Sequence, residues 1–256
     1  MSIPTFSLEG KVALITGGRR GIGKTFALAF AEAGADVAVC DYMDEGGELE
    51  AVERGIKEFG RKALTIKADI RLKADVENMV KETVDKLGTI DILVNNAGIA
   101  GPSPIVDTDE EFWDSIIDTH IKGYFLCSQA AAKIMIPRQK GNILNMGSIS
   151  GMVAQPPGTT AYDVAKAGVI MLTQGLAREL APYNIRVNAI CPWIIETKLS
   201  VRIRTDPELS KDALARTPLR RWGKTTDLVG AALFLASDAS SWVTGQHLVI
   251  DGGFLA

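Results

Sequence analysis

The sequence predicts a doubly wound α/β fold, a mostly parallel sheet of about seven strands with helices on both faces. Three observations predict it. Short β-branched and aliphatic runs alternate along the whole chain with longer runs of helical periodicity. The strand candidates are apolar on both faces, the pattern of a parallel sheet covered on each side. A glycine-rich turn follows the first strand candidate and opens the first helix candidate. Open parallel sheets bind their ligands at such strand ends.

The elements follow in order. Residues 11–16, Lys11-Val12-Ala13-Leu14-Ile15-Thr16, read as a buried strand, and residues 22–33 as the helix after it. A strand at 35–40 precedes a polar helix over 45–59 and a strand over 62–68. Helical periodicity over 72–87 leads to a strand at 90–94. One long helix is predicted over 110–136, then a strand at 142–146 and a helix over 161–180. Residues 185–190 are strand-like, 226–236 helical, and 247–250 form a last strand. The stretch 192–224 lacks clear periodicity and follows a strand end, so it is predicted to be a substrate lid. No linker or repeat divides the chain, and residues 1–256 are predicted to form a single domain.

Composition narrows the function classes. Hydrophobic residues at 46% and charged residues at 23% exclude a disordered chain. With 28 basic and 31 acidic residues there is no basic excess, so no nucleic-acid partner is expected. No apolar run approaches the roughly 20 residues that span a bilayer, so no membrane partner is expected. Residues 1–7 lack the basic and apolar regions of a leader. Cys40, Cys127 and Cys191 lie in apolar surroundings without a CxxC spacing, which reads as reduced thiols in a cytoplasmic protein. His120 and His247 are the only histidines, and no metal site is expected.

Three motifs carry candidate chemistry. In Thr16-Gly17-Gly18-Arg19-Arg20-Gly21-Ile22-Gly23 the glycines allow a tight turn and close backbone approach. The helix behind them presents unpaired N–H groups and a partial positive charge, which suit a pyrophosphate. A strand-to-helix turn without a ligand is the plainer alternative. Tyr162 and Lys166 are four apart in a helical run and share a face. In isolation such a pair is most often solvent-exposed. Ser148 follows Asn145-Met146-Gly147 at a strand end, where it can orient a substrate oxygen or simply cap a turn. No G-x-S-x-G elbow surrounds it, which argues against a serine hydrolase.

The glycine spacing is G-x-x-x-G-x-G. With Asn95-Asn96-Ala97-Gly98, Ser148, Tyr162-x-x-x-Lys166 and Asp251-Gly252-Gly253, the sequence resembles the short-chain dehydrogenase/reductase family over nearly its whole length. The resemblance implies a Rossmann-like fold and an oxidoreductase that interconverts a small-molecule secondary alcohol and a ketone with a nicotinamide cofactor. Tyr162 would be the acid–base, Ser148 would hold the substrate oxygen, and Lys166 would lower the tyrosine pKa and bind the nicotinamide ribose. Bringing a tyrosine from about 10 to about 7 needs roughly 4 kcal/mol. A unit charge about 4 Å away supplies about that much at an effective dielectric near 20.

For the cofactor, Gly17, Arg20, Gly21, Ile22 and Gly23 would form the phosphate turn. The resemblance adds Asp69 and Ile70 around the adenine, Asn96 and Gly98 beside the ribose, and Ile195 with Thr197 near the carboxamide. Asp69 reads equally well as a turn residue. Asp41 ends the second strand, where a carboxylate accepts ribose hydroxyls and repels a 2′-phosphate; this favours NAD over NADP. Arg20 argues the other way, since a basic residue in the turn can meet a 2′-phosphate.

Two positions depart from the family. His120 stands in Thr119-His120-Ile121-Lys122-Gly123-Tyr124-Phe125 where relatives usually carry asparagine. It can hold the relay water, carry the proton itself with a pKa near the working pH, or merely fill the core. Trp193, in Cys191-Pro192-Trp193, replaces a usual glycine, so its indole must shield the nicotinamide or narrow the substrate pocket. Residues 217–223 and 236–241 look like members acting on sugars, polyols and sugar acids, such as gluconate dehydrogenases. Lys198, Arg202 and Arg204 would suit an anionic substrate if they face it, and otherwise form a solvated helix face. A 3-oxoacyl thioester reductase is the alternative enzyme. A non-catalytic dinucleotide-binding sensor or scaffold is the alternative class, although its Ser/Tyr/Lys set should be eroded. Relatives are usually homotetramers, and small residues at 130–132, Ala165 and Ala167 would allow such packing.

Overall fold

The computed structural model describes residues 5–256; residues 1–4, the start of the segment read above for a leader, lie outside them. The strand candidates all form. They are β1 (Val12–Thr16), β2 (Asp36–Asp41), β3 (Ala63–Lys67), β4 (Ile92–Asn95), β5 (Gly141–Met146), β6 (Ile185–Pro192) and β7 (His247–Ile250). They make one seven-stranded sheet in the order β3-β2-β1-β4-β5-β6-β7. Every pairing is parallel, with Ala13 opposite both Val37 and Ile92.

Two-sided burial explains the near-continuous apolar strands. Ala13, Ile15, Val37, Val39, Ile92 and Val94 enter one core, against α1 (Gly21–Glu32), α2 (Glu48–Glu58) and α9 (Val229–Ala236). Their alternate neighbours Leu14, Ala38, Cys40 and Leu93 enter the other. That core is covered by α3 (Lys73–Leu87), α5 (Gly123–Met135) and α6 (Thr160–Leu180). Cys40, Cys127 and Cys191 are buried and unpaired. Among the described residues no helix is long and apolar enough to cross a membrane.

Two expectations need correction. The helix predicted over 110–136 is interrupted. It consists of α4 (Glu110–Ile117), a π-helical turn at Asp118–Lys122, and α5. The wider turn brings His120 into the core at 1% exposure, and the Thr119 hydroxyl donates back to the Ser115 carbonyl at 2.7 Å. An apolar period cannot reveal one extra residue in a turn. The stretch 192–224 is also not irregular throughout. It holds α7 (Val201–Thr205) and α8 (Pro207–Arg216), separated at Asp206. Asp206 caps α8 by accepting from the Glu208 and Leu209 amides at 3.0 and 3.1 Å, with Pro207 in the first turn. Both helices are short and mostly exposed, with Ala213 the one buried residue, so they carry little periodicity. The ends of this stretch meet where Ile195 bridges to Gly223.

Buried polar groups lock the sheet beneath the strand ends. Asn95 Nδ2 donates to Asn145 Oδ1 at 2.8 Å and to Ser128 Oγ at 3.0 Å. Asn145 Nδ2 donates to Thr173 Oγ1 at 2.9 Å, which ties β4 and β5 to α5 and α6. At the opposite end Asp91, 5% exposed, accepts from the Val12 amide at 2.9 Å and from Arg138 Nη2 at 2.6 Å. Arg138 is 38% exposed and keeps Thr89 and the Ile90 carbonyl as partners, so Asp91→Ala chiefly orphans the buried Val12 amide. The substitution is expected to remove about 2 kcal/mol of stability, read as a lower urea midpoint at unchanged slope.

Candidate active site

The strand order reverses between β1 and β4, so the chain leaves β1 to one side and returns on the other. Such a reversal opens a crevice at the carboxyl ends of the two strands. The Thr16 hydroxyl spans it, accepting from the Asn96 and Ala97 amides at 3.0 and 3.1 Å. Asn96 Nδ2 donates to the Thr16 and Gly17 carbonyls at 2.9 and 3.0 Å, bracing the glycine turn from the β4 side.

That turn has no room for side chains. A Cβ on Gly17, whose φ is +66°, would lie 2.7 Å from Ala97 Cα. One on Gly23 would collide with the Gly17 carbonyl oxygen. A backbone this bare, ahead of the α1 N-terminus, is a cradle for a phosphate, and the residues present fit a dinucleotide. Ile22 packs against the core under the turn, and Thr197, at the start of the lid, sits over Gly21. Ile195 beside it is buried at 6% exposure.

The adenosine end differs from the sequence expectation. Asp41 closes β2 as predicted and is 8% exposed. Burial raises its pKa, opposed by the Met43 amide and by Arg19. It is Arg19, not Arg20, that turns inward: Arg19 is 4% exposed and its Nε lies 3.3 Å from Asp41 Oδ1. Arg20 is exposed at the start of α1. Sequence reasoning missed Arg19 because adjacent arginines in a turn give no sign of which one points in. Asp69 spends its carboxylate on its own turn and on Arg71, whose Nε donates at 2.9 Å, and this side-chain hydrogen bonding is the main cause of its lowered pKa. The turn reading of Asp69 is the one its contacts follow. Ile70 is buried at 4% exposure against the start of α5.

The four candidate catalytic residues converge at the end of β5. Ser148 Oγ accepts from the Ser150 amide at 3.1 Å and points to the Pro192 carbonyl at 3.5 Å, and its hydroxyl acts to lower the Tyr162 pKa against burial. Lys166 is 3% exposed and donates from Nζ to the Met146 carbonyl at 2.7 Å. The same Nζ lies 5.4 Å from the Tyr162 ring centre and 5.6 Å from that of Tyr124. Burial pushes the Lys166 pKa down to about 7 and the Tyr162 pKa up to about 12. Burial is the largest influence on both groups.

His120 lies edge-on to Tyr162, ring centres 5.4 Å apart, and packs where a Cβ on Gly98 would meet its Cε1 at 2.6 Å. Its Nε2 is 2.8 Å from the Ile99 carbonyl oxygen. A carbonyl only accepts, so the proton sits on Nε2 and Nδ1 is left as an acceptor. Nδ1 is buried without a protein partner, as is the Tyr124 hydroxyl. Burial, then the Lys166 charge, push the His120 pKa well below its usual value. Both effects favour the neutral ring. Tyr124 was missed as a site residue because an aromatic in a helix face reads as core.

Trp193 turns toward the C-terminal segment and stacks on Phe254, ring centres 4.1 Å apart. The Arg216 guanidinium lies 4.5 Å over the other ring. Beside the stack is a cavity of about 250 Å³ lined by Ile195, Thr217, Leu219 and Ile250 among others. Of the three lid cations, Lys198 lies 3.8 Å from Glu48, and Arg204 is held by Ser200 and the Thr197 carbonyl at 3.1 and 3.2 Å.

Comparison with known proteins agrees with this geometry. The family model described as enoyl-(acyl carrier protein) reductase matches residues 17–255. The chain is 41% identical over 249 residues to a 3-oxoacyl-(acyl-carrier-protein) reductase of Thermotoga maritima, covering 97% of this chain and 99% of the relative. A short-chain type dehydrogenase/reductase from Mycobacterium marinum superposes with a TM-score of 0.92 at 41% identity, covering 97% of each chain. A gluconate 5-dehydrogenase from Burkholderia cenocepacia, solved with NADP and tartrate, gives 0.94 at 37% identity, covering 100% of this chain and 99% of its own. An oxidoreductase by this likeness, the chain belongs to the short-chain dehydrogenase/reductase family.

Proposed function

We propose that this protein is an NAD-dependent dehydrogenase that interconverts a secondary alcohol and a ketone on a sugar, polyol or sugar acid. The convergence of Ser148, Tyr162, Lys166 and His120 beside the glycine cradle carries the reading. Bound in the crevice, a nicotinamide dinucleotide supplies the hydride acceptor or donor. The chain's own residues do the rest. In oxidation the Tyr162 Oη takes the hydroxyl proton, and in reduction it returns one. Ser148 Oγ donates to the substrate oxygen and holds it beside Tyr162. Lys166 gives the buried tyrosine a cation when protonated, and its ammonium can reach a ribose hydroxyl. His120 Nδ1 and the Tyr124 hydroxyl are the buried polar atoms through which protons can reach Lys166.

Gly17, Arg20, Gly21, Ile22 and Gly23 hold the pyrophosphate in this reading, with Asn96 bracing the turn. Asp41 accepts the adenosine ribose hydroxyls, Asp69 and Ile70 shape the adenine side, and Asn96 and Gly98 lie beside the ribose. The bare Gly98 position itself is filled by the His120 ring. Ile195 and Thr197 meet the carboxamide, and residues 192–224 cover the substrate. The sugar-acid class is supported by the likeness to the gluconate 5-dehydrogenase and by Arg202, a lid cation without an ion pair among the described residues. A 3-oxoacyl thioester is the second reading, favoured by the Thermotoga maritima relative. The protein would work in the cytoplasm as a homotetramer. The exposed apolar residues Val164 and Met171 on α6 and Phe125 on α5 support that assembly.

Nicotinamide absorbance, followed with NAD and NADP over polyols, sugar acids and 3-hydroxyacyl thioesters, tests the reading. NAD-linked turnover with a sugar acid or polyol is expected. Tyr162→Phe is expected to lower turnover by at least about a hundredfold while NAD binding persists; unchanged turnover would remove the acid–base role. The Tyr162 pKa of about 12 gives the pH dependence a sign. Oxidation needs the phenolate, whose population grows with pH, so its rate should climb through pH 9. Reduction needs the neutral phenol, which prevails throughout, so its rate should not climb in parallel. For His120, Asn preserves a polar side chain and Leu does not. His120→Leu should depress turnover and alter its pH profile more than His120→Asn, whereas equal, silent profiles for both would make it a packing residue.

A further inference from the structure

We propose that Glu48, in the first turn of α2, sets the dinucleotide preference of this chain by holding the Arg19 guanidinium away from a 2′-phosphate. The inference rests on the dinucleotide reading above and deepens it at the adenosine end.

Asp41 alone does not account for a preference against a 2′-phosphate. Its carboxylate is paired with Arg19 across 3.3 Å, and both side chains are buried. A neutralised carboxylate repels an incoming dianion far less than a bare one. What remains decisive is where the guanidinium is aimed. Its Nη1 donates to Glu48 Oε2 at 2.7 Å and lies 3.9 Å from Glu45 Oε2, and its Nη2 approaches Met43 Sδ at 3.8 Å. The donors thus run from the end of β2 toward α2.

Glu48 is held in place from the other side. Lys198, in the lid, lies 3.8 Å from its second oxygen. Glu48 and Asp41 together place two carboxylates against one buried guanidinium, with the exposed Glu45 beyond them. A 2′-phosphate arriving beside Asp41 would meet an arginine already committed and a surplus of negative charge. Gln at position 48 keeps the shape and one acceptor oxygen but removes a unit charge. Arg19 can then turn to the phosphate, to which a guanidinium binds in bidentate fashion.

The test uses ligands that cannot turn over, ADP-ribose and 2′-phospho-ADP-ribose, titrated calorimetrically into the full chain. The wild-type protein is expected to favour ADP-ribose. Glu48→Gln is expected to bind 2′-phospho-ADP-ribose about tenfold or more tightly than wild type, with ADP-ribose affinity within about twofold. Adding Arg19→Ala to Glu48→Gln should erase the gain, which assigns it to the freed guanidinium. Melting temperatures of the variants check that each is folded, and Glu48→Asp should retain the wild-type preference if the variant Gln fails that check. The inference is overturned if Glu48→Gln binds ADP-ribose normally and gains nothing for the phosphorylated ligand, or if wild type already binds the two alike. Failure of wild type to bind either ligand would instead overturn the dinucleotide reading on which the inference stands.

Discussion

Parallel pairing of β1 with β2 on one side and β4 on the other is the constraint on which the rest of the molecule depends. A parallel neighbour cannot be reached by a hairpin, so each step requires a helical crossover. The chain moves outward from β1 to β3 and must then return past its own first strand. The two strand ends on either side of the reversal are thereby left without a covering connection. Thr16 and Asn96 fill the gap with backbone-directed hydrogen bonds, and the glycine turn lies directly on them. Ser148 and Trp193 follow the next two strands along the same edge. The position of the site is thus a consequence of sheet order, and side chains decide only its chemistry.

That chemistry is governed by burial. Lys166 and Tyr162 are each driven toward their neutral forms, with pKa values of about 7 and about 12. One carbonyl, that of Met146, is the lysine's hydrogen-bond acceptor. A buried ammonium normally requires more compensation than that. The aromatic faces of Tyr124 and Tyr162 contribute some. The free site is therefore responsive: each added charge or hydrogen bond has a large effect because water does little to screen it. His120, neutral and with an orphan acceptor, belongs to the same low-dielectric pocket.

Most of the architecture was legible in the sequence because two-sided burial makes each strand apolar throughout. Every strand candidate appears within a residue or two of its predicted bounds. What could not be read depends on single-residue geometry. The π-helical turn at Asp118–Lys122 adds a residue without changing composition, and α7 and α8 are too short and exposed to show a period. At the site, Tyr162, Lys166 and Ser148 stood out through the resemblance to the family, since in isolation the first two read as an exposed helix pair and the third as a turn residue. Arg19 did not, because its role depends on which way one turn residue points. The degree of burial of Lys166 and Tyr162 was not visible either, since burial is a property of everything packed around the pair.

The same distinction bears on substrate charge. Three cations in a lid suggest an anionic substrate when read from sequence, but cations act on a substrate only if they are free to face it. Lys198 is turned toward Glu48, and Arg204 is folded onto the lid's own first turn. Arg216 lies on the Phe254 ring, and Arg221 is paired with Asp227 at 2.6 Å. Most of these cations therefore make contacts within the protein, joining residues 192–224 to α2 and to the C-terminal segment, so packing fixes their positions before any substrate arrives.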